Sequence, residues 1–418
     1  MTKIVDIEDI RKKREKKEIG IPIENINKKE LKRRGHEIGD ILGCDEKGEE
    51  ICVRKGKGNL YVDGDMEKEQ LFDFMRSQIY QNIQRGDSMV IVDLGSRIYK
   101  RELWIYLTIH GYRVDSYNMD CMTESDCFNC LDGLGAENEE QIVMIANDII
   151  DDQKYKFMTY PVETVCKALL SAVLLASLTE MEESDRNMLE IATIFRLGVS
   201  GTMLDKILHV MFEELDETSS AKQLFAMYSE AEEGIRMEAI QKIGNALAVY
   251  EKRANGSLCD NFRTNRYDME MPVKEKSVLF IESGQLPEDK VLFSVFMERL
   301  YDSMLKKAEE RQQDVTVMLL DYPYYGGLCG LEKYMEEGPE KGICTTLYED
   351  DRKLDGSGYA PHLVELYSLC DISVCIKDTE IPLCEIEKCE NPVTGECSKR
   401  KDGLCYYPAT RNQCKEFI

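Results

Sequence analysis

The sequence predicts an α/β fold with a mostly parallel sheet, split in sequence by an all-helical segment. Three observations carry this expectation. Short apolar runs of strand length recur at SMVIVD (88–93), SVLFIES (277–283), VTVMLLDY (315–322), ICTTLYE (343–349) and ISVCIK (372–377). Segments of helical period lie between them, notably 290–312, and strands alternating with helices argue for a parallel sheet covered on both faces. The strand signal disappears from about Glu137 to Tyr250, where EEQIVMIANDIIDD, VETVCKALLSAVLLASL and AIQKIGNALAVYEKR are all helical by period.

In chain order, residues 1–37 mix Lys, Arg and Glu with isoleucines and read as a charged arm. Residues 38–63 read as a hairpin, ILGCDEKGEEICV, followed by a polar stretch and NLYVDG. The strand 88–93 precedes a helix over 99–111 that ends at a glycine, and RVDSYNMD (113–120) follows as another strand. The segmentation is an arm (1–37), a first core part (38–130), an all-α domain (131–268), a second core part (269–380) and a Cys-rich tail (381–418).

Of the 418 residues, 43% are hydrophobic, enough for a substantial core. The longest apolar stretch, 168-ALLSAVLLASL-178, is shorter than the roughly 18–20 residues a bilayer requires. It reads as a core helix, so no membrane span is expected. The charged start, MTKIVDIEDIRKKREKKE, is unlike a secretory signal. The formal net charge of −25 disfavours a nucleic-acid grip, which needs clustered cations. Sixteen cysteines without an export signal read mainly as free thiols.

The stretch 59-NLYVDGDMEKEQLFDF-74 has the strand–turn–helix form of a phosphate loop but lacks its gripping residues. A working loop ends in Gly-Lys-Ser/Thr; here Lys68, Glu69 and Gln70 stand in those places, and Asp63 stands for the first glycine. Starting instead at Gly64 still yields no Gly-Lys-Thr.

The segment 88–131 contains Asp93-Leu94-Gly95-Ser96-Arg97, Gly111-Tyr112-Arg113-Val114, Asn118-Met119-Asp120 and Ser125-Asp126-Cys127-Phe128-Asn129-Cys130. With the order of strands and the helical insertion, these residues make residues 38–378 resemble the type IV coupling proteins of bacterial conjugation, the TraG-like DNA-transfer ATPases of the FtsK-like P-loop class. The resemblance implies a RecA-like P-loop NTPase core interrupted by an all-α domain. It also implies a Walker B strand, here 317-VMLLDYPYYGG-327, which keeps Asp321 but has Tyr322 where the family has the Glu that activates water. A tyrosine with a pKa near 10 is a poor base at neutral pH. A third strand, expected to end in a phosphate-sensing Gln, ends near Glu349. Asp93, Asp321 and the Tyr322, Tyr324, Tyr325 cluster have bland alternatives as turn-formers or pocket filling.

These departures favour a catalytically degenerate, bacterial cytoplasmic homologue without ATP or magnesium, in which the all-α domain receives a protein partner. The resemblance suggests a relaxase, a secretion substrate or an active ATPase paralogue, with a ring assembly among the arrangements. The alternative is a nucleotide-binding or active DNA-translocating ATPase with an unusual loop, which would use ATP and magnesium. In the tail, Cys384, Cys389, Cys397, Cys405 and Cys414 follow C-x4-C-x7-C-x7-C-x8-C. That spacing lacks the close pairs of most zinc sites, leaving zinc or another metal, disulfides and free thiols all open.

Overall fold

The computed structural model describes residues 41–44, 50–52, 58–64, 75, 78–79, 81–83, 85–94, 98–119, 125–150, 159–196, 201–254, 262–264, 266–283, 289–320, 328, 330–350, 366, 368–375, 400–401 and 404–405. A hairpin of β1 (Ile41–Cys44) and β2 (Glu50–Cys52) forms its own two-stranded antiparallel sheet. Among the described residues, the rest of the strand content is one seven-stranded sheet, apart from the short antiparallel pair β10 (Arg400–Lys401) and β11 (Leu404–Cys405).

The large sheet contains β3 (Asn59–Gly64), β4 (Ser88–Leu94), β5 (Arg113–Asn118), β6 (Ser277–Ser283), β7 (Val315–Leu320), β8 (Ile343–Asp350) and β9 (Cys370–Cys375). Its order is β5-β6-β4-β7-β8-β3-β9, and each neighbouring pair is parallel. The expected parallel α/β sheet is therefore present. β5 ends at Asn118, two residues before the expected end at 120, and residues 125–126 fold back to close its outer edge. The Asp126 amide donates to the Ser116 carbonyl at 2.9 Å, and the Asn118 amide donates to Ser125 Oγ at 3.0 Å. A parallel edge left open would expose unpaired backbone groups.

Side chains alternate across the sheet as the strand period requires. Val90, Val92, Leu279, Ile281, Val317 and Leu319 enter one core, whereas Met89, Ile91, Val278, Phe280, Met318 and Leu320 enter the other. Burial on both faces explains why these strands read as continuous apolar runs. The second face is covered by α1 (Ile98–Ile109), through Leu103 and Leu107, and by helical residues that lead into β4, through Met75, Ile79 and Ile83. Gly111 ends α1 at φ +78°, a left-handed conformation that favours glycine. The Tyr112 amide then bonds back to the Leu107 carbonyl at 3.0 Å.

Between β5 and β6 the described residues contain no strand. They form α2 (Glu139–Ile149), α3 (Tyr160–Glu180), α4 (Met188–Arg196), α5 (Gly201–Glu213), α6 (Ser220–Ser229), α7 (Glu233–Ala254) and α8 (Met271–Lys274). Among the described residues, α3 alone has the length and composition to cross a membrane, with a mean hydropathy of 1.6, but 78% of its apolar window is buried inside the fold. It starts at Tyr160, two residues before the expected helical segment at 162, with Thr159 as N-cap and Pro161 in its first turn. It is a core helix packed against α2, α6 and α7.

The insertion and the sheet share one hydrophobic core. The main bridge is α9 (Asp289–Lys307), which packs on α2 and on α10 (Leu331–Glu337). Phe296 of α9 stacks on Tyr117 of β5 at 4.0 Å between centroids and meets Phe128 edge-on at 4.8 Å. Such aromatic pairs add specificity beyond their buried area.

Candidate functional site

In open parallel sheets, ligands bind beyond the carboxyl ends of the strands. β3 pairs with β8 on one side and β9 on the other, so Asp63 has Glu349 and Cys375 as register partners, and Gly64 has Asp350. The structure thus brings together the first residue of the loop and the expected phosphate-sensing position, on adjacent strands. β8 separates β3 from β7, whose last residue, Leu320, precedes Asp321 in sequence. Lys68, Glu69, Gln70, Asp321 and Tyr322 lie outside the described residues.

Asp93 is buried near the end of β4, and its register partner is Glu282 on β6. β7 and β8 lie between β4 and β3. Three strand spacings of about 4.8 Å separate Asp93 from Asp63 across the sheet, so the two occupy different points on one edge.

A polar cluster missed in the sequence reading lies beside Asp93. Lys100 Nζ on α1 donates to Glu282 Oε2 at 2.9 Å and to Ser116 Oγ at 2.9 Å. Ser116 Oγ also donates to Glu282 Oε2 at 2.9 Å. Glu282 is buried, so its charge is tolerated only because a cation and a hydroxyl meet it. The available signal was a lysine in the first turn of the helix that follows a strand ending in acid. Its partner on β6 lies 182 residues away, beyond the reach of any local pattern.

The resemblance motif around residues 125–130 also acquires physical roles. Asn129 Nδ2 donates to the Arg186 carbonyl at 2.8 Å, while its Oδ1 accepts from the Leu131 amide at 3.1 Å. Cys127 and Cys130 are buried thiols. Burial pushes the Cys130 thiol up to about 12, which keeps it protonated and unreactive. In the tail, Cys405 lies on β11, where it is the register partner of Arg400. Cys384, Cys389, Cys397 and Cys414 lie outside the described residues. Among the described residues, no group of three or more His, Cys, Asp or Glu is arranged to hold a metal ion.

No protein-family model matches the chain, and no curated protein matches its sequence. Solved structures do match its fold. The unbound monoclinic form of the bacterial conjugative coupling protein TrwB superposes with a TM-score of 0.56 at 16% identity, covering 82% of this chain and 73% of that one. TrwB with the non-hydrolysable ATP analogue ADPNP gives a TM-score of 0.51 at 15% identity, with coverages of 75% and 68%. Its trigonal form with sulphate gives 0.51 at 15%, with coverages of 76% and 69%. The strand order, the helical insertion between β5 and β6 and these superpositions establish that the chain has the P-loop ATPase fold of the type IV coupling proteins.

Proposed function

We propose that this chain is a catalytically degenerate, bacterial cytoplasmic homologue of a conjugative coupling protein that acts as an adaptor. It binds a protein partner of a DNA-transfer or mobile-element system through its helical insertion. The observation that carries this reading is the register pairing of Asp63 with Glu349 at the carboxyl edge. Both positions hold acids, and Asp350 is paired with Gly64 beside them. A phosphate loop needs backbone amides, a lysine and a hydroxyl at this place. Each like-charge contact at about 4 Å costs on the order of 4 kcal/mol at an effective dielectric near 20. Lys100, a base on the same edge, is already committed to Glu282 and Ser116. The residue types at this edge speak against a magnesium-bound triphosphate.

Calorimetry of the full chain with ATP and magnesium tests the reading. No heat of binding is expected at about millimolar ATP, a Kd limit of roughly −4 kcal/mol. Saturable binding would overturn it and favour a nucleotide-binding or translocating ATPase with a rebuilt loop. The double variant Glu69→Lys/Gln70→Thr restores two of the lost loop residues and is expected to gain binding.

A further inference from the structure

Among the described residues, the insertion presents an exposed apolar helix face. On α5, Met203 is 57% exposed, Ile207 38%, Val210 60% and Met211 46%. Their spacing of i, i+4, i+7 and i+8 puts them on one side of the helix. The opposite side is fully engaged, with Leu204, Leu208 and Phe212 buried in the shared core and Phe212 stacked on Phe225 of α6 at 4.1 Å. Asp205 fixes the rotation of the helix, accepting from Tyr228 Oη at 2.7 Å and from Arg236 Nε at 3.1 Å. The exposed stripe is therefore a held surface.

Charge around the stripe specifies what would cover it. Residues 201–238 carry nine acids against three bases. Glu213, Glu214, Asp216 and Glu217 are exposed where α5 ends, and Glu230, Glu232 and Glu233 are exposed at the turn from α6 into α7. Two of the three bases are used internally. Lys222 pairs with Glu217 at 2.8 Å and caps the Leu215 carbonyl at 2.9 Å, and Arg236 serves Asp205. The carboxyl end of α5 adds its own partial negative charge. An apolar, methionine-bearing stripe inside an acidic rim suits an amphipathic helix with a basic polar face, because methionine adapts to varied partners and the rim steers the cation-bearing side. DNA offers no apolar face and is repelled, and a second copy of this chain would bring the same acids.

We infer that the exposed face of α5 is a docking surface for a basic amphipathic helix of a protein partner. This rests on the adaptor reading above and assigns it a surface. The probe is a synthetic peptide with leucines at helical spacing and lysines elsewhere, labelled for fluorescence anisotropy and titrated into the full chain. A glutamate-for-lysine version and a scrambled version are the controls. The lysine peptide is expected to bind and to weaken about tenfold or more with Val210→Asp. It is expected to weaken several-fold with Glu213→Gln/Glu214→Gln or on raising salt from about 50 to 500 mM. Both sites are exposed, and circular dichroism confirms that each variant is folded.

Equal binding of the glutamate or scrambled peptide would overturn the inference, as would unchanged binding to both variants. A dimer that Val210→Asp dissolves in sedimentation would reassign the face to self-association. ATP binding in the calorimetry would sink the degenerate-ATPase reading and leave this surface standing, whereas peptide failure without ATP binding would sink the surface alone.

Discussion

Glu298 provides a stringent test of how the insertion is joined to the sheet. It lies in the middle of α9, is 3% exposed, and its Oε1 has no hydrogen-bond partner among the described residues. Its Oε2 accepts from the Gly330 amide at 3.4 Å. Burial, and then the charge of Asp148 on α2, raise the carboxyl from 4.5 to about 8, with Asp302 adding to the rise and Tyr334 and the Gly330 amide opposing it. The folded form therefore holds a proton that the unfolded chain releases. The associated stability is fully present below about pH 4.5 and is lost as pH rises through about 8. At about 1.4 kcal/mol per unit, the loss across that window is on the order of 5 kcal/mol.

Glu298→Gln keeps the shape and the acceptor for Gly330 but removes the titration. Urea unfolding of both proteins from about pH 5 to pH 9 reads the difference. Near pH 5 the two midpoints should nearly coincide, and near pH 8.5 the variant should be more stable by several kcal/mol. Groups that titrate in both proteins cancel in this comparison. Parallel pH profiles would refute the argument and mean that Glu298 is solvated or paired in solution.

Two further substitutions probe paired charges of opposite logic. Burial alone would raise the Asp205 carboxyl, but the Tyr228 hydroxyl and the Arg236 guanidinium overcome it and hold the group below its ordinary value. Asp205→Ala should then cost about 2–3 kcal/mol at neutral pH by leaving Tyr228 and Arg236 unmatched. That penalty should shrink as pH falls through the depressed value, as read by thermal unfolding at pH 7 and pH 3. Lys100→Met should cost about 3 kcal/mol or more, because the Glu282 side chain is only 3% exposed and loses its cation. Adding Glu282→Gln should recover most of the loss in a double-mutant cycle.

The central strands of the large sheet were legible because burial on both faces makes them apolar runs, as in SVLFIES for β6. The end of α1 was legible because Gly111 adopts a conformation few other residues accept. Sheet membership was not legible. NLYVDG follows the β1–β2 hairpin closely in sequence, yet it pairs with β8 and β9, about 280–310 residues later. Local pattern reveals that a strand exists, and long-range pairing decides where it goes. The site was half legible for the same reason. The missing Gly-Lys-Ser/Thr was visible in one line of sequence, whereas the pairing of Asp63 with Glu349 and the Lys100–Ser116–Glu282 cluster required the fold. Glu298 reads in sequence as an ordinary solvent-facing charge in FMERLYD, and only the arrival of Asp148 and Gly330 makes it buried.

These placements separate the packing seam along α9 from the positions expected to form a phosphate loop. Several contacts gather along α9: the Tyr117–Phe128–Phe296 cluster toward β5, the Arg253–Asp289 ion pair and the Gln141–Asp302 hydrogen bond toward the insertion, and Glu298 beside Gly330 toward α10. None of these residues lies in the 63–70 loop or at the ends of β7 and β8. A substitution at residues 63–70 therefore changes none of the residues that make these α9 contacts. The constraint runs the other way for α9. A side chain beyond hydrogen at Gly330 would place its Cβ 2.5 Å from Glu298 Oε1 and 2.8 Å from the Tyr334 ring. The glycine is thus fixed by the approach of α9 to α10. Packing alone accounts for this seam, and the reading proposed above places function elsewhere, on the exposed face of α5.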